Sequence, residues 1–114
     1  MTPLPKDNRI FIGLGSNLGN ARQNLAQAVS LLENLLGVTA VCSAVYHSEP
    51  VAVTNQPWFL NQVIYFSLID EELGPSVILQ VLKTIEQLLG RLPNIRYGPR
   101  LIDLDLLFFK DWVF

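Results

Sequence analysis

The fold is indicated first by residues 9–37, RIFIGLGSNLGNARQNLAQAVSLLENLLG. Apolar side chains alternate with other residues over 9–15, which predicts a β-strand. A glycine-rich turn follows, and from residue 21 to residue 36 the apolar side chains recur at three- and four-residue spacing, as on one face of an amphipathic helix. Asn20 is placed to cap that helix at its start, and Gly37 is placed to end it.

The rest of the chain continues in the same way. β-Branched, aromatic and alternating apolar residues predict three further strands, over residues 38–46, 58–69 and 101–109. A second helix is expected to open around Pro75 and to stop at Gly90, with loops over 47–57 and 91–100. The order βαββαβ is that of the ferredoxin-like fold, an α+β arrangement with a four-stranded antiparallel sheet and both helices on one face.

The composition is consistent with one globular domain over residues 1–114. Half of the residues are hydrophobic, 16% are charged and the formal net charge is −2, which excludes a disordered chain or a coiled coil and disfavours a nucleic acid as partner. No apolar run reaches the roughly 18 residues of a membrane span, and the first residues lack the pattern of a secretory signal, so we expect no membrane partner and a cytoplasmic location. The single cysteine, Cys42, and the single histidine, His47, exclude an internal disulfide and a Cys/His zinc site. We expect Cys42 to be buried in a strand and assign no role to His47.

The strongest candidate for chemistry is RYGPRLIDLDLL, residues 96–107. On a strand, Asp103 and Asp105 point to the same face, about 6.6–7 Å apart along the chain, while their apolar neighbours point to the other. Two adjacent carboxylates repel each other, so a cation between them is expected, and their hard oxygen atoms favour Mg²⁺. The alternative is a solvated strand face on which the aspartates pair with Arg96 and Arg100.

The cationic residues before this strand favour a polyphosphate ligand. The loop contains three arginines, Arg91, Arg96 and Arg100, whereas charge pairing with two carboxylates requires only two. Mg²⁺ and a cationic loop together can hold phosphate oxygens and neutralise their charge. Lys83 and Glu86, one helical turn apart, could reach the same region or form an ordinary exposed ion pair on the helix.

Two other segments carry weaker signals. The glycines of residues 13–19 lack the spacing of a dinucleotide-binding motif, and the simpler interpretation is a tight turn whose backbone is bonded by Ser16 and Asn17. Phe59 and Asn61 share one strand face, where an aromatic ring and an amide suit a flat heterocycle. The simpler alternative there is a polar sheet residue beside a core phenylalanine.

Taken together, these stretches resemble the family of 6-hydroxymethyl-7,8-dihydropterin pyrophosphokinases. Members of that family transfer the β,γ-pyrophosphoryl group of ATP to the pterin hydroxymethyl in folate biosynthesis. The resemblance runs from about Ile10 to Phe109, in the order of the family's own blocks. It is carried by RYGPRLIDLDLL together with GLGSNLG (13–19), SEP (48–50), QPWFLN (56–61) and the glutamate, glycine and arginine at positions 86, 90 and 91.

The resemblance implies a role for each matching residue. Two Mg²⁺ ions would be held by Asp103 and Asp105, with ATP as co-substrate, and Arg91 and Arg100 would assist the transfer as catalytic residues. The implied ATP contacts are Lys83, Glu86, Arg91, Arg96, Arg100 and Leu106. The implied pterin contacts are Ser48, Val51, Phe59, Asn61 and Tyr97, the last as an aromatic lid. Loops matching 13–19, 47–57 and 91–99 would close over the bound substrates and exclude water.

The implied reaction is in-line attack of the pterin hydroxymethyl oxygen on the β-phosphorus of ATP, which releases AMP and leaves the pterin diphosphate. Family members continue for some forty residues after the strand with the two aspartates, so the resemblance implies that one wall of both binding sites is missing from residues 1–114. We expect a monomer or weak homodimer. Alternatives from other classes are a non-catalytic nucleotide- or pterin-binding or assembly module on the same core, and an RNA-binding domain. The RNA-binding alternative is disfavoured by residues 58–66, which lack its aromatic motif, and by the negative net charge.

Overall fold

A central strand, β1 (Arg9–Ser16), organises the sheet in the computed structural model, which describes residues 7–50, 55–68, 70, 72–90 and 101–114. The elements that follow are α1 (Ala21–Leu36), β2 (Val41–Cys42), β3 (Tyr46–Ser48), β4 (Phe59–Ser67), α2 (Pro75–Leu88), β5 (Asp103–Phe109) and β6 (Trp112–Val113). The sheet order is β2-β4-β1-β5-β6, with β3 also paired to β4, and every pair is antiparallel. The ferredoxin-like α+β prediction is confirmed, because β4 and β5 flank β1 as that topology requires.

Both helices pack on the same face of the sheet. In β1, alternate side chains, Ile10, Ile12 and Leu14, are buried in one cluster with residues of α1 and α2. The cluster continues on both neighbouring strands, through residues such as Ile64 in β4 and Leu104 in β5. The opposite face of the sheet, which we call the open face, therefore carries the odd-numbered residues of β1.

The first helix runs as the sequence predicts. The Asn20 side chain accepts a hydrogen bond from the Gln23 N–H at 3.1 Å, which satisfies one of the free donors of the first turn. Gly37 follows the helix in the left-handed region, at φ +65°, and its N–H donates to the Glu33 carbonyl. The second helix also begins at Pro75 as predicted and ends at Leu88, and Gly90, the expected stop, follows its C-cap residue Leu89 in the left-handed region at φ +81°.

The prediction of four strands is wrong in number, and Ser43 explains one of the two extra strands. Its N–H donates to the Val63 carbonyl at 2.8 Å, but its Oγ rather than its carbonyl accepts the Val63 N–H, at 2.9 Å. The Ser43 carbonyl instead accepts from the side-chain amide of Gln62. Because a side chain substitutes for the backbone in the ladder, the predicted strand over 38–46 divides into β2 and β3. The loop predicted from position 47 begins only after Ser48.

The last predicted strand also differs from expectation. A register shift between Phe11 and Ile12 leaves Leu107 as an extra residue in β5. Phe109 is therefore buried in the core while Phe108 is exposed. The chain then turns back to form β6, which the sequence did not predict and which pairs with these two phenylalanines.

Cys42 lies in a strand as expected, but it is exposed rather than buried. The reason is its position in β2, which is the edge of the sheet. Within the described residues, neither helix combines the length and the apolar character that crossing a membrane requires.

Candidate active site

The open face has a floor made by two glycines of β1. Gly13 and Gly15 lie at the positions between the buried residues of that strand and present no side chain to the open face. In the sheet register, Gly15 is opposite Asp103 on one side and Asn61 on the other. Gly13 is opposite Asp105. Because the glycines have no side chains, Leu107 comes within 3.4 Å of the Cβ position of Gly13, and Asn61 within 3.3 Å of that of Gly15. We call this strip of β1, with the acidic residues of β5 along one side and β4 along the other, the groove.

The spacing of the two sides follows from sheet geometry. Neighbouring strands lie about 4.8 Å apart, so the backbones of Asp103 and Asn61, one strand on either side of Gly15, are about 10 Å apart. Asp105 is exposed and Asp103 is half-buried, and both side chains point away from the core that holds Leu104. The prediction that the two carboxylates share one strand face is confirmed.

The amide of Asn61 is held in place by β3. Its Nδ2 donates to the Ser48 Oγ at 2.7 Å and to the Tyr46 carbonyl at 3.4 Å. Its Oδ1 lies over the groove floor, 3.3 Å from the point where a Cβ on Gly15 would stand. The ring of Phe59 borders the same point at 3.4 Å. The structure thus brings together Ser48, Phe59 and Asn61, three of the five residues expected at a heterocycle.

The turn after β1 is braced to the segment that leads into β4. Asn17 is 5% exposed, and its Nδ2 donates to the Gln56 Oε1 and to the Pro57 carbonyl, both at 3.0 Å. The expectation that its side chain bonds its own turn is wrong, because the acceptors lie about forty positions further along the chain. The turn's own backbone is bonded instead by Asn24, which donates to the Leu18 carbonyl at 2.9 Å. Sequence reasoning missed Asn24, whose place on a polar helix face carried no signal.

Glu86 approaches the acidic strand from the helix side. It is 7% exposed, and its Oε2 accepts the backbone N–H of Leu104 at 3.0 Å. The alternative of an ordinary exposed ion pair with Lys83 is wrong for Glu86, because its carboxylate is buried, whereas Lys83 itself is exposed. Leu106, an expected ATP contact, is two residues further along the same strand and is buried in the core.

Five of the expected site residues lie outside the described residues. They are Val51, Arg91, Arg96, Tyr97 and Arg100. In the part of the chain that the structure describes, no three His, Cys, Asp or Glu side chains form a cluster able to hold a metal ion. Asp103 and Asp105 are a pair of carboxylates on one strand face, fewer than such a cluster contains.

Comparison with known proteins matches residues 11–113 to the family model described as 7,8-dihydro-6-hydroxymethylpterin-pyrophosphokinase (HPPK). The chain belongs to this family. All the residues that form the groove fall inside the matched range. The family resemblance inferred from the sequence motifs is therefore confirmed.

Relatives of this chain occur in bacteria and in plants. It is 43% identical over 103 residues to the 2-amino-4-hydroxy-6-hydroxymethyldihydropteridine pyrophosphokinase of Methylorubrum extorquens, a match that covers 90% of this chain and 63% of that protein. The protein of the same name in Bacillus subtilis is 39% identical over 91% of this chain and 61% of its own length. The mitochondrial folate synthesis bifunctional protein of Arabidopsis thaliana is 43% identical over 90% of this chain but only 18% of its own length. The chain thus spans about three fifths of the bacterial relatives and under a fifth of this plant relative.

Proposed function

We propose that residues 1–114 form one domain that catalyses Mg²⁺-dependent transfer of pyrophosphate from ATP to 6-hydroxymethyl-7,8-dihydropterin. The observation that carries the proposal is the alignment of Asp103, Gly15 and Asn61 across three neighbouring strands. This alignment offers an acidic site and a heterocycle site about 10 Å apart, two strand spacings, with only glycine backbone of β1 between their strands. The partners are the two small molecules, and we propose that the chain meets them in the cytoplasm as a monomer or weak homodimer.

The pterin is placed on the β4 side of the groove. Because Ser48 and the Tyr46 carbonyl occupy the Asn61 Nδ2, the Oδ1 is left facing the floor as an acceptor for the N–H groups of a pterin edge. Phe59 supplies an aromatic face beside it for stacking. From the resemblance, Val51 and Tyr97 complete this site.

The triphosphate is placed on the β5 side. Asp103 and Asp105 suit Mg²⁺, which typically takes one or two protein carboxylates and completes its coordination with water and substrate phosphate. When bound, Mg²⁺ would supply neutralisation of the phosphate charge. From the resemblance, Arg91, Arg96 and Arg100 contact the phosphate oxygens.

The rest of ATP is placed along the outer side of β5. In the resemblance, Lys83, Glu86 and Leu106 contact the nucleotide, and the Glu86 carboxylate does reach this edge of the strand. The role of the chain in this mechanism is positioning: it aligns the pterin hydroxymethyl with the β-phosphorus and excludes water from a reaction that would otherwise consume ATP by hydrolysis.

The test is formation of AMP from ATP, measured with Mg²⁺ and with or without 6-hydroxymethyl-7,8-dihydropterin. The acidic pair is changed in the double variant Asp103→Asn, Asp105→Asn, which preserves shape and removes charge. The matched control is Asp111→Asn, which makes the same change at an exposed turn residue between β5 and β6. We expect pterin-dependent AMP from the wild-type chain and from the control, and none from the double variant.

Two outcomes would contradict the proposal. A folded wild-type chain that binds ATP and pterin without forming AMP is a non-catalytic binding module. Equal AMP formation by the wild-type chain and the double variant would remove the two aspartates from the mechanism.

A further inference from the structure

Glu86 is the only charged side chain buried among the described residues. It lies near the end of α2, and the same helix buries Ile78, Leu82 and Ile85 in the core. A carboxylate in such a place is costly unless it is well hydrogen-bonded. Its position on a helix that is itself packed into the core makes Glu86 a rigid point of attachment.

Glu86 is hydrogen-bonded to the backbone of β5 at Leu104. The Leu104 N–H donates to the Glu86 Oε2 at 3.0 Å, and hydrogen bonds from an N–H to a charged carboxylate are among the stronger ones in proteins. β1 covers one side of β5, and β6 covers the other side only at Phe108 and Phe109. In the described structure, therefore, no strand lies beside the outer edge of β5 near Leu104. The Glu86 carboxylate accepts the Leu104 N–H, as the carbonyl of a neighbouring strand would.

Leu104 is the residue between Asp103 and Asp105. Its side chain is buried towards the helices, so the two aspartates point to the open face from the adjoining positions. A twist or slide of β5 at Leu104 would move both carboxylates together, relative to Gly13 and Gly15. A hydrogen bond that restrains the backbone of Leu104 therefore also restrains the positions of Asp103 and Asp105.

We propose that Glu86 is a positioning residue for the divalent-cation site. It binds the Leu104 N–H to α2 and so holds Asp103 and Asp105 at one depth beside the groove floor. This role rests on the proposed function and is additional to the nucleotide contact that the family resemblance implies. It acts through the backbone of β5, from the outer edge of that strand and not from the open face to which the aspartates point.

Three variants of the full chain test the proposal. Glu86→Gln keeps an oxygen acceptor of the same shape without the charge, and Glu86→Ala removes the acceptor. Gln87→Ala, at the exposed neighbouring position of α2, is the matched control. Two measurements are made by NMR on each folded protein: hydrogen exchange of the Leu104 amide, and broadening of the Asp103 and Asp105 amide signals by added Mn²⁺.

We expect the wild-type chain and the variants Glu86→Gln and Gln87→Ala to behave alike. In all three, the Leu104 amide should be protected, and similar Mn²⁺ concentrations should produce half of the maximal broadening of the Asp103 and Asp105 amide signals. In Glu86→Ala we expect exchange to rise on the order of tenfold, as one lost hydrogen bond to a charged group implies, and the Mn²⁺ concentration to rise severalfold. If Glu86→Ala does not fold, Glu86→Gln still decides: weaker Mn²⁺ binding together with a loss of Leu104 protection supports positioning, and loss of protection with unchanged Mn²⁺ binding overturns it.

The proposal is overturned if Glu86→Ala leaves Mn²⁺ binding unchanged. It is also overturned if Glu86→Gln loses Mn²⁺ binding while its Leu104 amide stays protected, since the charge and not the bond would then matter. Failure of Mn²⁺ to broaden these signals in the wild-type chain would instead remove the metal role of the aspartates, and with it the proposed function, whatever the Leu104 amide shows.

Discussion

Replacement of Gly15 by alanine should damage the pterin side of the groove while the fold survives. A Cβ at this position would stand 3.3 Å from the Asn61 Oδ1 and 3.4 Å from a ring carbon of Phe59. The contact with Asn61 is tight, so that side chain must move by a few tenths of an ångström, whereas the ring of Phe59 lies at the limit of ordinary van der Waals contact. Asn61 resists such a move because its Nδ2 is bonded to Ser48 at 2.7 Å.

The magnitude follows from opposing effects. Alanine is favoured over glycine in a strand by about 0.5–1 kcal/mol, whereas overpacking of a filled site costs about 1–3 kcal/mol. We therefore expect Gly15→Ala to lower the free energy of unfolding by about 1 kcal/mol, or the Tm by about 4–8 °C. Displacement of the Asn61 acceptor removes one or two hydrogen bonds to the ligand, so pterin affinity should fall by about tenfold.

The assay is isothermal titration calorimetry with 6-hydroxymethyl-7,8-dihydropterin, with thermal denaturation to confirm folding. Gly13→Ala is the matched control, because a Cβ there meets only Leu107 at 3.4–3.6 Å and leaves Asn61 untouched. We expect the control to keep the wild-type pterin affinity. The reasoning is refuted if folded Gly15→Ala binds the pterin as tightly as the wild-type chain does, or if the control loses as much affinity.

Three further predictions concern the framework of the site and the sheet edge. Asn17→Ala removes two partly buried hydrogen bonds and should lower the free energy of unfolding by about 1–3 kcal/mol in urea titrations. A loss below about 0.5 kcal/mol would show that the brace is unimportant. Gly37→Ala forces a side chain into the left-handed region at φ +65° with open space around it, so calorimetry should show a loss of about 1 kcal/mol from backbone strain alone. The pKa of the Cys42 thiol is raised by partial desolvation and, secondarily, by the charge of Glu33. The pH at which the rate of alkylation is half-maximal should therefore be higher for the native chain than for the urea-unfolded chain. The native state favours the neutral thiol, so this contribution to stability is complete at pH values below the pKa of the unfolded thiol, about 8.5. It is lost as the pH rises through the pKa of the native thiol. Equal alkylation midpoints for the native and unfolded chains would contradict the assignment.

Much of the fold is local in origin and was predictable for that reason. The alternation in β1, the helical spacing and the caps at Asn20 and Gly37 are properties of short segments, and the structure confirms them. The division of the second predicted strand into β2 and β3 was not predictable. It arises because the hydroxyl of Ser43, and not its backbone carbonyl, accepts the hydrogen bond from the Val63 N–H of β4. The bulge at Leu107 was hidden for a similar reason: it shows only in the pairing with β1.

The candidate site divides in the same way. The sequence by itself determined that Asp103 and Asp105 share a strand face, since that depends only on the period of a strand, and its motifs indicated the family. Only the tertiary structure decided that Gly15 lies between Asp103 and Asn61, because register across three strands is a property of the packed sheet. Only the tertiary structure joined Glu86 to Leu104, 18 positions apart, since a hydrogen bond between a helix and a strand edge forms where packing brings the two together and leaves no periodic trace in the chain.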